Sequence, residues 1–417
     1  MLYALARFLE TEFDLPGAGL FQFITFRAGM AIIISLVISI IFGGSIIRWL
    51  RRMQVGEKVR DLGLEGQKEK EGTPTMGGII IILAIVVPCV LLARLENVYI
   101  QLMLLATLWM GAIGFVDDYI KTFRRNKDGL SGKFKVLGQI GLGLIVGLSM
   151  LLNDGVVVRM DAQQARARGY EMVETFEIKG RDGQPRQVAN VRATLTDVPF
   201  VKESHINYQA AFSFLGKDAE LWGAVFFVLF VIFIIAAVSN AANLTDGIDG
   251  LATGVSGIVG VTLGVFAYVS GNAIAADYLN ILYLPGTGEL VVFAACFLGA
   301  CIGFLWYNAY PAQVFMGDTG SLMLGGIIGA MAIVLRKELL LPLLCGIFVA
   351  ENLSVIIQVW YFKYTKQKYG QGRRVFLMAP LHHHFQKMGL PEPKIVTRFW
   401  IVAILLAVFT VLTLKIR

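Results

Sequence analysis

Charge is what the sequence has little of. Only 16% of its 417 residues are Asp, Glu, Lys or Arg, against 56% hydrophobic, whereas a soluble domain carries nearer a quarter charged. That balance excludes an ordinary water-soluble fold and makes the bilayer the solvent. Thiols are scarce too. Cys89, Cys296, Cys301 and Cys345 all lie inside apolar runs, which argues against both a disulfide framework and a thiolate metal site. Long polar stretches are nearly absent, the one exception being roughly residues 153–217. The net charge of +7 does not point to nucleic acid. The basic residues sit in short loops beside apolar runs, where they record membrane orientation.

What is there is a series of apolar windows, each about as long as the roughly 20 residues that cross the hydrocarbon core as a helix. The windows cover residues 23–47, 75–93, 98–116, 134–152, 219–242, 247–269, 289–307, 320–335, 341–362 and 395–414. The expected fold class is therefore an all-α integral membrane protein of about ten transmembrane helices. Every backbone polar group must be paired inside lipid, and no alternating barrel pattern appears. The expected organisation is helices 1–4 in residues 1–152, an extracytoplasmic insertion in 153–217, and helices 5–10 in 218–417, one catalytic membrane domain in all. Alternation in Val156–Met160 and Tyr170–Ile178 predicts short strands in the insertion.

Lys and Arg set the orientation. The loops after the first, third and ninth windows carry clusters such as Arg48, Arg51 and Arg52, Lys121 to Lys135, and Lys363 to Lys394. The opposite face holds few outside the insertion, among them Arg94, Arg336 and Lys337. The basic face of this multi-pass protein is expected to be cytoplasmic.

The polar motifs fall on that same face. Asp117 and Asp118 close the third window, and adjacent carboxylates suit a hard divalent cation, although a solvated helix end would look the same. Asn243, Asp246 and Asp249 follow one another at three-residue steps, which predicts one helical face where the sixth span begins. Asp318 lies in the turn before the eighth span, as a helix cap, a metal ligand or both. Thr73-Pro74 predicts the start of the second helix, with Lys70 upstream as a phosphate cation. His382, His383 and His384 are three of the four histidines. Consecutive helical residues point about 100° apart, so they cannot all ligate one metal from a regular helix. Glu351 sits in the middle of the ninth span, where an acid is functional by default or is satisfied by neighbouring helices. Gln358, nearer the basic face, is a further candidate for lining the site. Together these residue types make a phosphoryl-transfer inventory.

Gly72-Thr-Pro-Thr-Met-Gly-Gly, Val116-Asp-Asp-Tyr-Ile-Lys, Asn243-Leu-Thr-Asp-Gly-Ile-Asp-Gly-Leu-Ala, Phe315-Met-Gly-Asp-Thr-Gly-Ser and Met378-Ala-Pro-Leu-His-His-His-Phe closely resemble the bacterial phospho-N-acetylmuramoyl-pentapeptide transferases. These belong to the wider group of polyprenyl-phosphate N-acetylhexosamine-1-phosphate transferases. The resemblance spans nearly the whole chain except the insertion. It implies Mg²⁺-dependent transfer of phospho-MurNAc-pentapeptide from UDP-MurNAc-pentapeptide to undecaprenyl phosphate, releasing UMP and forming lipid I for peptidoglycan. The implied partners are those two substrates and membrane lipid, with no nucleic acid, and a homodimer is allowed. The implied location is the bacterial cytoplasmic (inner) membrane. The implied catalytic residues are Asp117, Asp118, Asp318 and His383, with Asp318 and Asp118 toward the metal. Either member of the Asp117–Asp118 pair could deprotonate the lipid phosphate or assist the metal. Around the substrates the resemblance implies Lys70, Thr75, Lys121, Lys133, Asn243, Asp246, Asp249, Asn308, Phe315, Gln358, His382 and His384. Direct attack and a route through an aspartyl-phosphate both remain open. A sibling transferase using UDP-GlcNAc and, further off, an ion-coupled transporter are the alternatives. The transporter would show broken spans in corresponding places of two halves, which the windows do not suggest.

Overall fold

The structure is a computed structural model that describes residues 1–53, 72–124, 128–179, 185–200 and 205–415. In chain order the helices are α1 (Leu2–Phe13), α2 (Ile24–Met53), α3 (Gly78–Leu92), α4 (Val98–Phe123), α5 (Gly132–Leu152), α6 (Ala162–Ala167), α7 (Ala219–Thr245) and α8 (Leu251–Ser270). They continue with α9 (Ala273–Leu279), α10 (Leu290–Asn308), α11 (Gly317–Val334), α12 (Leu341–Leu344), α13 (Gly346–Tyr369), α14 (Leu381–Lys387) and α15 (Glu392–Leu412). Among the described residues eight of these are long and apolar enough to span a bilayer, and α3 is a shorter apolar helix of 15 residues. The ninth span is broken: the segment through α12 meets α13 at 76°. About ten spans result, as the windows predict, in an all-α membrane protein. The single break has no counterpart elsewhere among the described residues, so the paired breaks of a transporter are not seen.

Lipid is as apolar as a leucine side chain, so helices in it associate by close packing of small residues. Accordingly α11, rich in Gly and buried along nearly its whole length, forms the centre and packs against α3, α4, α7 and α8, while α10 packs on α2, α3 and α8. Gly114 of α4 shows how close the approach is, because a Cβ there would lie 2.1 Å from the carbonyl oxygen of Asp318.

Residues 153–217 contain a small sheet of strands β1 (Val158–Asp161), β2 (Glu171–Lys179) and β3 (Pro185–Arg192) in antiparallel order β1-β3-β2. A second antiparallel pair joins β4 (Leu195–Asp197) to β5 (His205–Asn207). The two alternating stretches read from the sequence thus become β1 and β2. The sheet has its own apolar cluster, Val158, Ala162, Ala165, Ala189, Val191 and Leu195, closed by Leu282 and Leu284 from beyond α9. Buried charges tie the insertion to the segment after α11. Asp197 pairs with Lys337 and, at 2.9 Å, with His205, and Tyr208 donates to Glu338 at 2.8 Å. The sequence counts Arg336 and Lys337 as loop charges, yet both are buried. A helix of 18 residues is about 27 Å long, so the insertion and the first turn of α11 lie at opposite ends of the bundle.

Two local expectations are corrected. The second span does not start at Thr73-Pro74: residues 73–77 are non-helical and α3 begins at Gly78. The reason is a backbone pairing in which Phe315 N–H donates to Pro74 O and the Gly77 and Gly78 N–H groups donate to Phe315 O and Met316 O. Nor do Asn243, Asp246 and Asp249 share one helical face. Asn243 lies in the last turn of α7, Asp246 is its C-cap, and Asp249 sits in the turn before α8. Gly250, at φ +79°, supplies the left-handed residue this turn needs.

Candidate active site

Four segments converge at the end of the bundle remote from the sheet: the C-terminus of α4, the turn between α7 and α8, the N-terminus of α11, and α14. Asp117, Asp118 and Asp318 come together there, each offering an oxygen within 4.8 Å of the others.

Asp118 is buried and spends its oxygens on α11. Oδ1 accepts the Asp318 N–H at 3.0 Å, and Oδ2 accepts the Thr319 N–H at 2.8 Å and the Thr319 hydroxyl at 2.6 Å. This is a helix cap supplied from another helix, and a negative group suits the positive helix end. Gly317 makes room for it: its φ is +72°, and a Cβ there would lie 2.5 Å from Asp118 Oδ2.

Asp117, also fully buried, accepts the Leu130 N–H at 2.7 Å and pairs with Lys121 at 2.5 Å and Lys135 at 2.9 Å. The same two ammonium groups reach Asp318 Oδ2, Lys121 at 3.2 Å and Lys135 at 2.6 Å. The other oxygen of Asp318 accepts from Asn243 Nδ2 at 3.0 Å, and that amide also donates to Ser321 Oγ at 2.8 Å. Two lysines thus stand between two carboxylates.

Lys135 is the residue the sequence reading missed. Lys133 is exposed at the start of α5, whereas Lys135 points inward. The buried face of α5 runs through Gln139, Leu142, Gly143 and Val146, and one turn back from Gln139 is Lys135. The helical period contained the signal. Lys70 lies outside the described residues.

The remaining candidates divide by what they touch. Asn308 is buried and fully engaged: its oxygen accepts from Gly250 N–H and Thr253 Oγ1, both at 3.1 Å, and its amide donates to Val314 O at 3.0 Å. Asp249 Oδ2 accepts the Ala312 N–H at 3.0 Å. Both residues lock the α7–α8 turn onto the loop before α11. Asp246 is half-buried at the end of α7, Thr75 is half-buried near Gly317, and Phe315 is half-buried beside the Pro74 pairing. Gln358 pins the loop after α13, accepting from Val375 and Phe376 N–H at 3.0 Å and donating to Phe376 O at 3.1 Å. A cavity of about 590 Å³ opens beside it, lined mainly by Val355, Val359, Phe362 and Leu377 with Lys363 and Arg374.

The three histidines of α14 point to three places. His382 is buried against Glu351, His383 Nδ1 meets Gln386 Oε1 at 2.7 Å, and His384 Nδ1 accepts the Leu377 N–H at 3.1 Å. No shared metal site is formed by the three, as the 100° step requires.

Comparisons with known proteins bear on this arrangement. Residues 190–336 match the Glycosyl transferase family 4 model, and residues 70–82 match the Phospho-N-acetylmuramoyl-pentapeptide-transferase signature 1. The chain is 55% identical over 417 residues to the phospho-N-acetylmuramoyl-pentapeptide-transferases of Flavobacterium psychrophilum and Flavobacterium johnsoniae, covering all of each. It is 51% identical over 435 aligned residues to that of Porphyromonas gingivalis, again end to end. The chain belongs to the phospho-N-acetylmuramoyl-pentapeptide-transferase family. The signature stretch, residues 70–82, includes Gly77 and Gly78, whose N–H groups hold the segment just before Asp318.

The donor set fits a hard divalent cation. It consists of carboxylate oxygens, which Mg²⁺ prefers, with no thiol or imidazole among them. Three carboxylates face two ammonium groups, so the cluster keeps negative charge for a cation to neutralise. Asp118 Oδ1 and Asp318 Oδ1 each have a lone pair beyond the hydrogen bonds given above.

Proposed function

We propose that this chain transfers phospho-MurNAc-pentapeptide from UDP-MurNAc-pentapeptide to undecaprenyl phosphate, releasing UMP and forming lipid I at the cytoplasmic surface of the bacterial inner membrane. The observation that carries the reading is the pairing of Lys121 and Lys135 with both Asp117 and Asp318 beside the N-terminus of α11, in a chain of this family. One substrate is a soluble nucleotide and the other is held in the bilayer, so a site at the end of a helix bundle is where both can meet. In this reading residues 153–217 are an insertion on the outer face.

Lys121 and Lys135 bind the pyrophosphate oxygens. Asp117 fixes both ammonium groups in place, which is electrostatic preorganisation toward the charge that shifts onto the leaving phosphate. Asp118 holds the start of α11 and thereby Asp318. Asp318 and Asp118 would hold Mg²⁺, which supplies further neutralisation of the pyrophosphate. A lipid phosphate oxygen forms the new bond to the β-phosphorus, the bridging P–O bond breaks, and its electron pair leaves on UMP. The lipid phosphate is mostly a dianion at neutral pH, since the second pKa of such monoesters is about 6, and needs little help from a base. Burial of Asp117 behind three donors favours this direct route over an aspartyl-phosphate, because an engaged carboxylate is a weak nucleophile.

The test is UMP release by purified protein with undecaprenyl phosphate and either UDP-MurNAc-pentapeptide or UDP-GlcNAc, with Mg²⁺ or a chelator. Release with the first nucleotide alone, abolished by chelation, is expected. Turnover of UDP-GlcNAc at an equal rate, or turnover unchanged by chelator, overturns the substrate or the metal assignment respectively.

A further inference from the structure

Glu351 is fully buried within α13, far from the carboxylate cluster in sequence. Its carboxyl is not idle. Oε1 accepts the backbone N–H of His382 at 3.1 Å and Oε2 meets His382 Nδ1 at 3.1 Å, with both side chains wholly buried. A carboxylate carries only acceptors, so the ring nitrogen facing it bears the hydrogen. In the neutral ring this tautomer leaves the lone pair on Nε2. That atom is buried and has no partner, and it lies against Gly247, where a Cβ would be 2.2 Å away. Gly247 lies between Asp246 and Asp249 in the turn that follows Asn243 at the end of α7. A buried polar atom left without a partner is unfavourable, and a ligand that supplies a donor removes the penalty.

We propose that Glu351 is a positioning residue for nucleotide recognition. By gripping both the backbone and the ring of His382 it fixes one tautomer, and it presents the bare Nε2 to a hydrogen-bond donor of the nucleotide bound at the α7–α8 turn. This inference rests on the transferase reading above and deepens it. The geometry has the form seen around metal-bound imidazoles, where a carboxylate on one ring nitrogen sets the job of the other.

Glu351→Gln separates this role from mere packing. Its amide keeps the size, but once its oxygen accepts the His382 N–H its NH₂ group faces Nδ1. Nδ1 then becomes the acceptor and the hydrogen moves to Nε2, where it opposes a donor on the ligand. The expected result is a KM for the UDP substrate raised about tenfold with kcat within about threefold, which is the signature of lost uniform binding. Glu351→Asp keeps the carboxylate and should recover part of the loss. In a His382→Ala background, Glu351→Gln should add nothing. Ring nitrogen resonances of ¹⁵N-histidine-labelled protein, with His382 identified by its loss in His382→Ala, should show Nε2 bare in the parent chain and hydrogen-bearing in Glu351→Gln. The NMR result needs no turnover, so it stands apart from the transferase reading, which the parent chain's own UMP release tests. Equal loss from Glu351→Gln with and without His382, or an unchanged His382 resonance, overturns the proposal.

Discussion

Asp118 of α4 and Asp318 of α11 are joined through the backbone: the carboxylate of the first accepts the N–H of the second at 3.0 Å and then closes on Thr319. The two acids therefore differ in what their removal does. Asp118→Asn turns an acceptor into a donor against the helix end, and leaving a buried donor unpaired costs about 1–3 kcal/mol. Its melting temperature should fall along with turnover. Asp318→Asn should keep the fold, and it should lose about two decades or more of kcat, equivalent to about 3 kcal/mol of barrier. Thermal unfolding and UMP release on both variants decide the matter. An unchanged melting point for Asp118→Asn would show that the cap is dispensable.

Lys135 gives the second prediction. Its ammonium lies within 2.9 Å of both Asp117 and Asp318, while Lys133 is exposed. Lys135→Ala should reduce kcat by about a hundredfold, since it removes one of two charges that face the pyrophosphate. Lys133→Ala should stay within about threefold. The reverse order would return the reaction centre to Lys133 and make Lys135 a structural counter-ion.

These two lysines show how far the sequence could be read. The spans were legible because lipid enforces long apolar helices, and the family motifs were legible as motifs. Helical phase around residue 133 needs the buried face of α5, and that face turns Lys135 rather than Lys133 toward Asp117 and Asp318. Tertiary pairing was invisible. Nothing in Thr73-Pro74 says that Phe315 and Met316 will take the next N–H groups and delay α3 to Gly78. Three-residue spacing in Asn243, Asp246 and Asp249 imitates a helix, but α7 ends at Thr245 and leaves Asp249 in the turn before α8. Glu351 stood out as a mid-span acid, and only packing reveals that His382 is its partner.

Orientation gives the third prediction. All four native cysteines are buried, so single cysteines at exposed positions report cleanly. Glu177→Cys in β2 and Gln367→Cys near the end of α13 should react with a membrane-impermeant maleimide from opposite sides, with Gln367→Cys reached only from the cytoplasm. Labelling of both from one side would contradict the orientation set by the lysines and arginines.

The fourth prediction concerns acid stability at the other end of the molecule. Asp197 is buried with Lys337 and His205 and receives the Leu282 N–H at 3.4 Å. Arg336, Glu338 and Tyr208 are packed nearby, and the Arg336 carbonyl accepts the Asp197 N–H at 3.1 Å. Burial by itself raises a carboxyl pKa, but the Lys337 charge together with His205 more than offsets it and holds Asp197 below its ordinary value. A depressed folded pKa means that the unfolded chain takes up the proton first. The contribution to stability is therefore full above the unfolded value of about 3.9 and is lost as pH falls through the lower folded value. Thermal midpoints of the parent chain in detergent should carry no contribution from Asp197 to their change between pH 7 and 5, and should fall below about pH 4. Asp197→Asn leaves Lys337 buried without its charge partner, a loss of about 3–5 kcal/mol, so it should melt lower at pH 7 and show a shallower decline in acid. The double change Asp197→Asn with Lys337→Met should recover stability relative to Asp197→Asn, because it removes the orphaned ammonium. With α11 about 27 Å long between this network and the carboxylate cluster, UMP release below the melting range should be little altered in either variant. An acid decline as steep in Asp197→Asn as in the parent chain would assign the effect to other carboxylates, and an unrecovered double variant would show that Lys337 stabilises this end by more than its pairing with Asp197.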